Sequence, residues 1–233
     1  MTDLFAVTDA TWPAARYLTA GNFIVRDGQG GGQRVSSATA SGDWTDEDID
    51  RAEETQRALG QRSLFMVRSG ENALDAALAA RGYAVVDPVN MYIADTVSLA
   101  VMPPRLSAFA IWPPLEIMRD IWSEGNIGAD RVAVMERASL PKTTILGRTN
   151  DRTAGAAYVA VAENTAMLHA LHVSPDQRRQ RAAVNMMRMA AVWAQDQGAT
   201  RFSVVVTRAN ASANALYASL GMQIVGQYHY RSK

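Results

Sequence analysis

Leu168–Ala183, LHALHVSPDQRRQRAA, decides how the rest of the chain is read. Its first half is an apolar run with the make-up of a strand. Pro175 stops the run, and Arg178, Arg179 and Arg181 crowd the turn that opens a long helix. A strand delivering its chain to a helix N-terminus suits an anion, because the first backbone N–H groups of a helix have no acceptor inside it and the dipole is positive there. Cations at that end are mildly destabilising on their own. Three of them in so short a stretch point to an anion that normally occupies the turn; a solvated helix start is the plainer alternative.

Downstream, Ala182–Gln197 has helical periodicity. Ala183, Met186, Met187, Ala190, Ala191 and Ala194 share an apolar face, with Arg181, Asn185, Arg188 and Gln195 on a polar one. Gly198 ends it. Arg201–Thr207 is a near-continuous apolar run, the pattern of a strand buried on both faces. Ala211–Leu220 predicts a short helix stopped at Gly221, and Gln223–Tyr230 a closing strand. Upstream, Lys142–Arg148 and Thr153–Val161 predict strands around a polar turn, and Ala166–Val173 the strand of the opening stretch. Helices over Pro114–Glu124 and Ala129–Ala138 precede them. The succession predicts an α/β fold, a mixed sheet with helices on its faces.

Two diprolines, Pro103-Pro104 and Pro113-Pro114, resist helix and central strand alike and set a boundary near residue 104. The chain thus divides into domains 1–103 and 104–233. In the first, Asn22–Asp27 and Gln33–Thr39 predict a strand pair joined by the flexible Gly28–Gly32 turn. Neither a lysine-serine pair nor a helix signal follows those glycines at the spacing of a phosphate loop. Thr45–Leu59 predicts a helix with an acidic first turn, Ser63–Arg68 a strand, Asn72–Arg81 a helix stopped by Gly82, and Tyr83–Ile93 a strand bent at Pro88.

Composition narrows the function classes. With 48% apolar residues, the 233-residue chain has ample material for a packed core. Lysine plus arginine equals aspartate plus glutamate, 23 each, so no global field draws it to nucleic acid or an anionic membrane, and anion binding has to be local. The lack of cysteine excludes disulfides, thiolate metal sites and a cysteine nucleophile. The three histidines are too scattered for a metal site. The start of the chain has no leader-like pattern and no window is apolar enough for a membrane span, so a cytoplasmic protein is expected.

Two motifs sharpen this. Val173, Pro175, Arg178 and Ala183 resemble the Val-x-Pro, then Arg/Gln-x-x-Gly-x-Gly/Ala pattern of the GCN5-related N-acetyltransferase (GNAT) superfamily. Asn210, Ala213, Leu216, Tyr217, Gly221 and Met222 resemble its later Asn-x-x-Ala-x-x-Leu-Tyr and Gly-Met pattern. The resemblance spans roughly Ile127–Tyr230. Arg181 departs from it, standing where the family has a glycine that lets the backbone approach phosphate. In the first half, Ala77–Tyr83 (ALAARGY) resembles Leu216–Met222 (LYASLGM), which implies a degenerate N-terminal copy of the same fold beside a complete C-terminal one.

The resemblance implies an N-acetyltransferase that moves the acetyl group of acetyl-CoA to a primary amine of a small molecule or peptide. Backbone amides from Arg178 through Arg179, Gln180, Arg181 and Ala182 to Ala183 would cradle the pyrophosphate. Leu171, His172 and Val173 would line the pantetheine arm, with the Leu171 and Val173 amides polarising the thioester, and Asn210 would hold the arm or cap its helix. Tyr217 is the implied acid for the departing thiolate, protonated at neutral pH. His169, on a strand resembling the histidine-bearing strand of arylalkylamine N-acetyltransferases, is the implied base. Simple alternation puts His169 on the side of Leu171 and Val173, and His172 on the other. The rival reading is a non-catalytic acyl-CoA-binding module. Nucleic acid and membrane are not expected partners, and the reading leaves room for a homodimer.

Overall fold

The structure, a computed structural model, describes residues 3–233. In chain order, α1 (Leu4–Thr11), β1 (Arg16–Ala20), β2 (Phe23–Asp27), β3 (Ala38–Ala40), α2 (Asp46–Ala58), β4 (Leu64–Arg68), α3 (Asn72–Ala80), β5 (Ala84–Asp95), α4 (Thr96–Leu99) and β6 (Ala108–Ile111) lead into α5 (Glu116–Glu124) and α6 (Ala129–Arg137). Then follow β7 (Lys142–Thr149), β8 (Arg152–Ala162), β9 (Thr165–Val173), α7 (Ala182–Asp196), β10 (Arg201–Thr207), α8 (Ala211–Ser219) and β11 (Gln223–Ser232). Among the described residues no helix is long and apolar enough to cross a membrane.

Two compact units result. One, here the α2 unit, holds Ala14–Asn90, Val206–Ala211 and Val225–Lys233; the other, the α7 unit, holds the chain up to Pro13, Met91–Val205 and Ser212–Ile224.

In the α2 unit, β1, β2 and β3 form an antiparallel ladder, and β3 meets β4 in parallel through Ala38↔Phe65. A parallel neighbour needs a crossover, and α2 supplies it. Thr45 starts that helix with a capping box, its hydroxyl accepting from the Asp48 amide while the Asp48 carboxylate accepts from the Thr45 amide. Beneath it the rings of Phe23, Phe65 and Tyr83 meet edge to face, 5.5 and 5.4 Å apart, beside Ile49, Leu74 and Leu78. The predicted Gln33–Thr39 strand shrinks to Ala38–Ala40, after a single 3-10 turn at Gln33–Val35. Gln61 explains the difference: its amide donates to the Arg26 carbonyl and its oxygen accepts from the Gly28 amide, so a side chain takes groups a longer ladder would pair.

In the α7 unit, β6, β7, β8 and β9 are successively antiparallel, and β9 runs parallel to β10 through the crossover α7. α1 and α5 cover one face of β8 and β9, and α7 lies against the other. The periodicity of α7 holds: Met186, Met187, Ala190, Ala191 and Ala194 are fully buried. Asn185, expected on the polar side, is buried with them. Four elements, α1, β1, α4 and β6, had no counterpart in the sequence reading. α1 is capped by Asp3, whose carboxylate accepts from the Phe5 amide, and β6 is a four-residue edge strand lying between the two diprolines.

Candidate active site

The site is built on β9. Its pairing with β10 runs from Thr165↔Arg201 to Leu168↔Val204, after which β9 continues to Val173. The Ser174 amide donates to the Ala154 carbonyl on the β8 side, 3.0 Å. Alternation along the strand then turns the His172 N–H toward β8 and those of Leu171 and Val173 toward the edge facing away from β8. Two backbone donors at an edge with no ladder partner suit an extended polar arm laid along it.

A bulge interrupts the strand just before these donors. Pairing passes from Tyr158↔His169 to Ala156↔His172, so β9 carries one residue more than β8, and Ala170 takes the left-handed φ of 52°. The fully buried Trp122 holds it there, its indole N–H donating to the Ala170 carbonyl at 2.8 Å. Simple alternation therefore fails at this point. His169 lies opposite Tyr158 and His172 opposite Ala156, two residues apart on β8, so both histidines share the face covered by α1 and α5. Val173, opposite Gly155, is on the α7 face, where a side chain at Gly155 would meet Met186.

The two histidines differ in what surrounds them. His169 is buried in an aromatic box, its ring centroid 5.0 Å from Trp12 and 6.0 Å from Tyr158, with Trp112 6.3 Å beyond Tyr158. The Thr11 hydroxyl donates its only hydrogen to the Val7 carbonyl, so in the 2.9 Å contact between Thr11 Oγ1 and His169 Nε2 the imidazole is the donor. Tyr158 Oη is buried without a hydrogen-bond partner among the described residues, and burial raises its pKa. His172 is only partly buried. Its Nε2 is itself buried, makes no hydrogen bond among the described residues and stands 3.8 Å from Glu124 Oε2, which accepts from the Ser174 hydroxyl at 2.8 Å. Burial, and then the Arg178 charge, push the His172 pKa below its ordinary 6.5 against the upward pull of Glu124.

The turn after β9 carries the arginines. Arg178, Arg179, Gln180 and Arg181 are exposed; Arg178 Nε donates to the Val173 carbonyl at 3.1 Å, and Gln180 Oε1 accepts from Asn150 Nδ2 at 2.7 Å. Arg181 is the N-cap of α7 with φ 66°, and no side chain caps the helix. The first amides of α7, Ala182 and Ala183 included, consequently lack an acceptor within the helix. Arg181 keeps the left-handed backbone that glycine adopts freely, at a cost of roughly 1–2 kcal/mol. Open amides, a positive helix end and unpaired strand donors fit a pyrophosphate-bearing thioester.

On α8, Tyr217 is buried with its ring centroid 5.6 Å from that of Tyr92, and burial raises its phenol above the ordinary range. Tyr92 Oη donates to Asn214 Oδ1 at 3.0 Å. Asn210 falls in the Val206–Ala211 segment of the α2 unit. Sequence reasoning named neither Glu124, Gly125 and Ser174 around His172 nor Trp12, Trp122 and Tyr158 around the bulge. A glutamate and a glycine ending a predicted helix were the only signals for the first group, and they are common ones.

Residues 115–222 match the model of the Acetyltransferase (GNAT) family. Over 236 aligned positions the chain is 25% identical to YobR of Bacillus subtilis (strain 168), described as an uncharacterized N-acetyltransferase, covering 96% of this chain and 95% of that protein. Among solved structures, a GCN5-related N-acetyltransferase from Kribbella flavida superposes with a TM-score of 0.73 at 15% identity, over 100% of this chain and 96% of that one. A tandem GNAT protein from the clavulanic acid biosynthesis pathway gives 0.59 at 14%, over 84% and 74%. Residues 115–222 thus resemble a GNAT acetyltransferase domain, the two sequence likenesses support acyltransferase activity, and the mixed α/β sheet is the fold of the similar solved structures.

Proposed function

We propose that the chain transfers the acetyl group of acetyl-CoA directly to a primary amine of a small molecule or peptide, both substrates bound together. The observation that carries this is the β9 edge beyond Leu168↔Val204, leading into the uncapped start of α7. There the Leu171 and Val173 amides would hold the pantetheine arm and thioester oxygen, and residues 178–183 the pyrophosphate. Tyr217, kept protonated by burial, would give its proton to the leaving thiolate. The face shared by His169 and His172, with its aromatic box, would receive the amine.

The catalytic domain in this reading is 104–233, and 1–103 is a degenerate copy. In favour stands a repeated topology: β1–β2–β3, then α2 and a parallel β4, has the same order as β7–β8–β9, then α7 and a parallel β10. A tandem GNAT protein among the similar folds points the same way. Arg181 in place of glycine supports the second reading, an acyl-CoA-binding module without turnover.

Thiol release from acetyl-CoA with phenethylamine, spermidine, a lysine peptide and an aminoglycoside separates the two. Turnover that falls about 100-fold in Tyr217→Phe, at unchanged acetyl-CoA affinity, supports transfer. Binding of acetyl-CoA without turnover of any of them supports the module.

A further inference from the structure

We propose that the cavity lined by Arg105, Arg148, Asn150 and Asn185 binds a small phosphate monoester bearing hydroxyl groups, at a place separate from the β9 edge. Binding here is independent of what that edge holds. The cavity, about 380 Å³, is bounded by the loop before β6, the end of β7 with its turn, and residues at the start of α7. Along the sheet, β7 and β8 stand between β6 and β9, whereas the unpaired donors of β9 face away from β8. Of the turn after β9 only Gln180 lines the cavity; Arg178, Arg179 and Arg181 do not.

Asn185 is the first sign of a ligand. It is the fourth residue of α7, only 6% exposed, and lines the cavity, yet its side chain makes no hydrogen bond among the described residues. A buried amide with no partner is destabilising, and asparagine is a poor helix former, so packing alone would favour an apolar residue here. A polar group entering the cavity from outside would satisfy it. The other walls define the charge of that group. Arg105 is exposed and makes no ion pair or hydrogen bond among the described residues. Arg148 donates from Nη2 to the Asp151 carbonyl at 3.0 Å, with the exposed Asp151 carboxylate 3.7 Å away, and its Nε and Nη1 are unused. Two guanidinium groups against one carboxylate favour an anion, and their planar forks match the oxygens of a phosphate. Asn150 gives its Nδ2 to Gln180 Oε1 at 2.7 Å, which fastens the turn and leaves its Oδ1 without a partner among the described residues. That oxygen and the Asn185 carbonyl call for O–H donors, which the hydroxyl groups of the ester supply. The volume, at the low end of small-ligand sites, leaves room for such a molecule beside its phosphate.

Calorimetric titration of the full chain with glucose 6-phosphate, glycerol 3-phosphate and sulfate tests this. At least one of the two esters should bind once per chain, about tenfold or more tighter than sulfate. Arg105→Gln, at an exposed position, should weaken that binding about tenfold and leave the melting temperature of the free chain alone. Asn185→Leu should abolish binding and raise the melting temperature of the free chain, because an unpartnered amide gives way to an apolar side chain of similar size. Arg178→Glu/Arg179→Glu, which strikes the turn after β9, should change ester affinity by less than about twofold. Three results would overturn the assignment. One is no binding of either ester at about 10 mM, or sulfate binding as tightly as both. Another is binding that follows Arg178→Glu/Arg179→Glu and ignores Arg105→Gln, which puts the anion in the turn. The third is a lower melting temperature with intact binding in Asn185→Leu, which makes that asparagine a packing residue.

Discussion

The starts of α2 and α7 occupy the same place in two matching strand–helix–strand crossovers, and they are built in opposite ways. α2 closes its own end: Thr45 and Asp48 satisfy each other's amides, and Asp46, Glu47 and Asp48 place three acidic residues in the first turn. An incoming phosphate would meet those charges and find capped donors. α7 leaves its end open: Arg181 makes no side-chain cap, the first turn has no acid, and arginines precede it. Only the second kind of start can hold an anionic cofactor. A helix that spends its terminal donors on its own side chains gains stability of about 1 kcal/mol, and one that leaves them free keeps a binding site.

Breaking the open end should give the largest effect. In Arg178→Glu/Arg179→Glu the positive turn becomes negative, and acetyl-CoA affinity should fall at least about tenfold by calorimetry, with the melting temperature nearly unchanged. Breaking the closed end should do the reverse. Thr45→Ala should cost about 1 kcal/mol in denaturant unfolding and leave acetyl-CoA affinity alone.

The same cap carries a pH signature. Hydrogen bonding from the Thr45 backbone, above all, holds the Asp48 carboxyl below its ordinary 3.8. A carboxyl lowered by folding stabilises fully above its unfolded value, and that contribution is lost as pH falls below about 3.8. The acid limb of thermal stability should therefore be shallower in Asp48→Asn than in the wild type. The smallest effect is expected from Arg181→Gly, which removes a left-handed non-glycine residue from the α7 start: relief of that backbone is offset by the greater freedom of glycine in the unfolded chain, so the melting temperature should barely move, and acetyl-CoA affinity should change by less than about twofold.

Much of this contrast was legible in the sequence, because it rests on local chemistry. Thr45 with Asp48 three residues on reads as an acidic helix start, and Arg178, Arg179 and Arg181 before an alanine-methionine face read as an anion site. The buried face of α7 followed from its period, and β10 from its apolar run. The bulge did not. Nothing in Leu168-His169-Ala170-Leu171-His172 marks an extra residue, since Ala170 is not the glycine that such a φ favours, and its support comes from Trp122 in a distant segment. One residue of slip was enough to put His172 on the wrong face and hide its place beside Glu124. β6 was missed for another reason: prolines on both sides announce a boundary, and a four-residue edge strand is too short to show a period.

On the transferase reading acetyl-CoA is held at the α7 start and not at its α2 counterpart. Calorimetric titration of the whole chain with acetyl-CoA tests it most directly. One cofactor per chain, with binding weakened by Arg178→Glu/Arg179→Glu and untouched by Thr45→Ala, is the predicted result. Two cofactors per chain, or one whose binding follows Thr45→Ala and ignores the arginines, would contradict it.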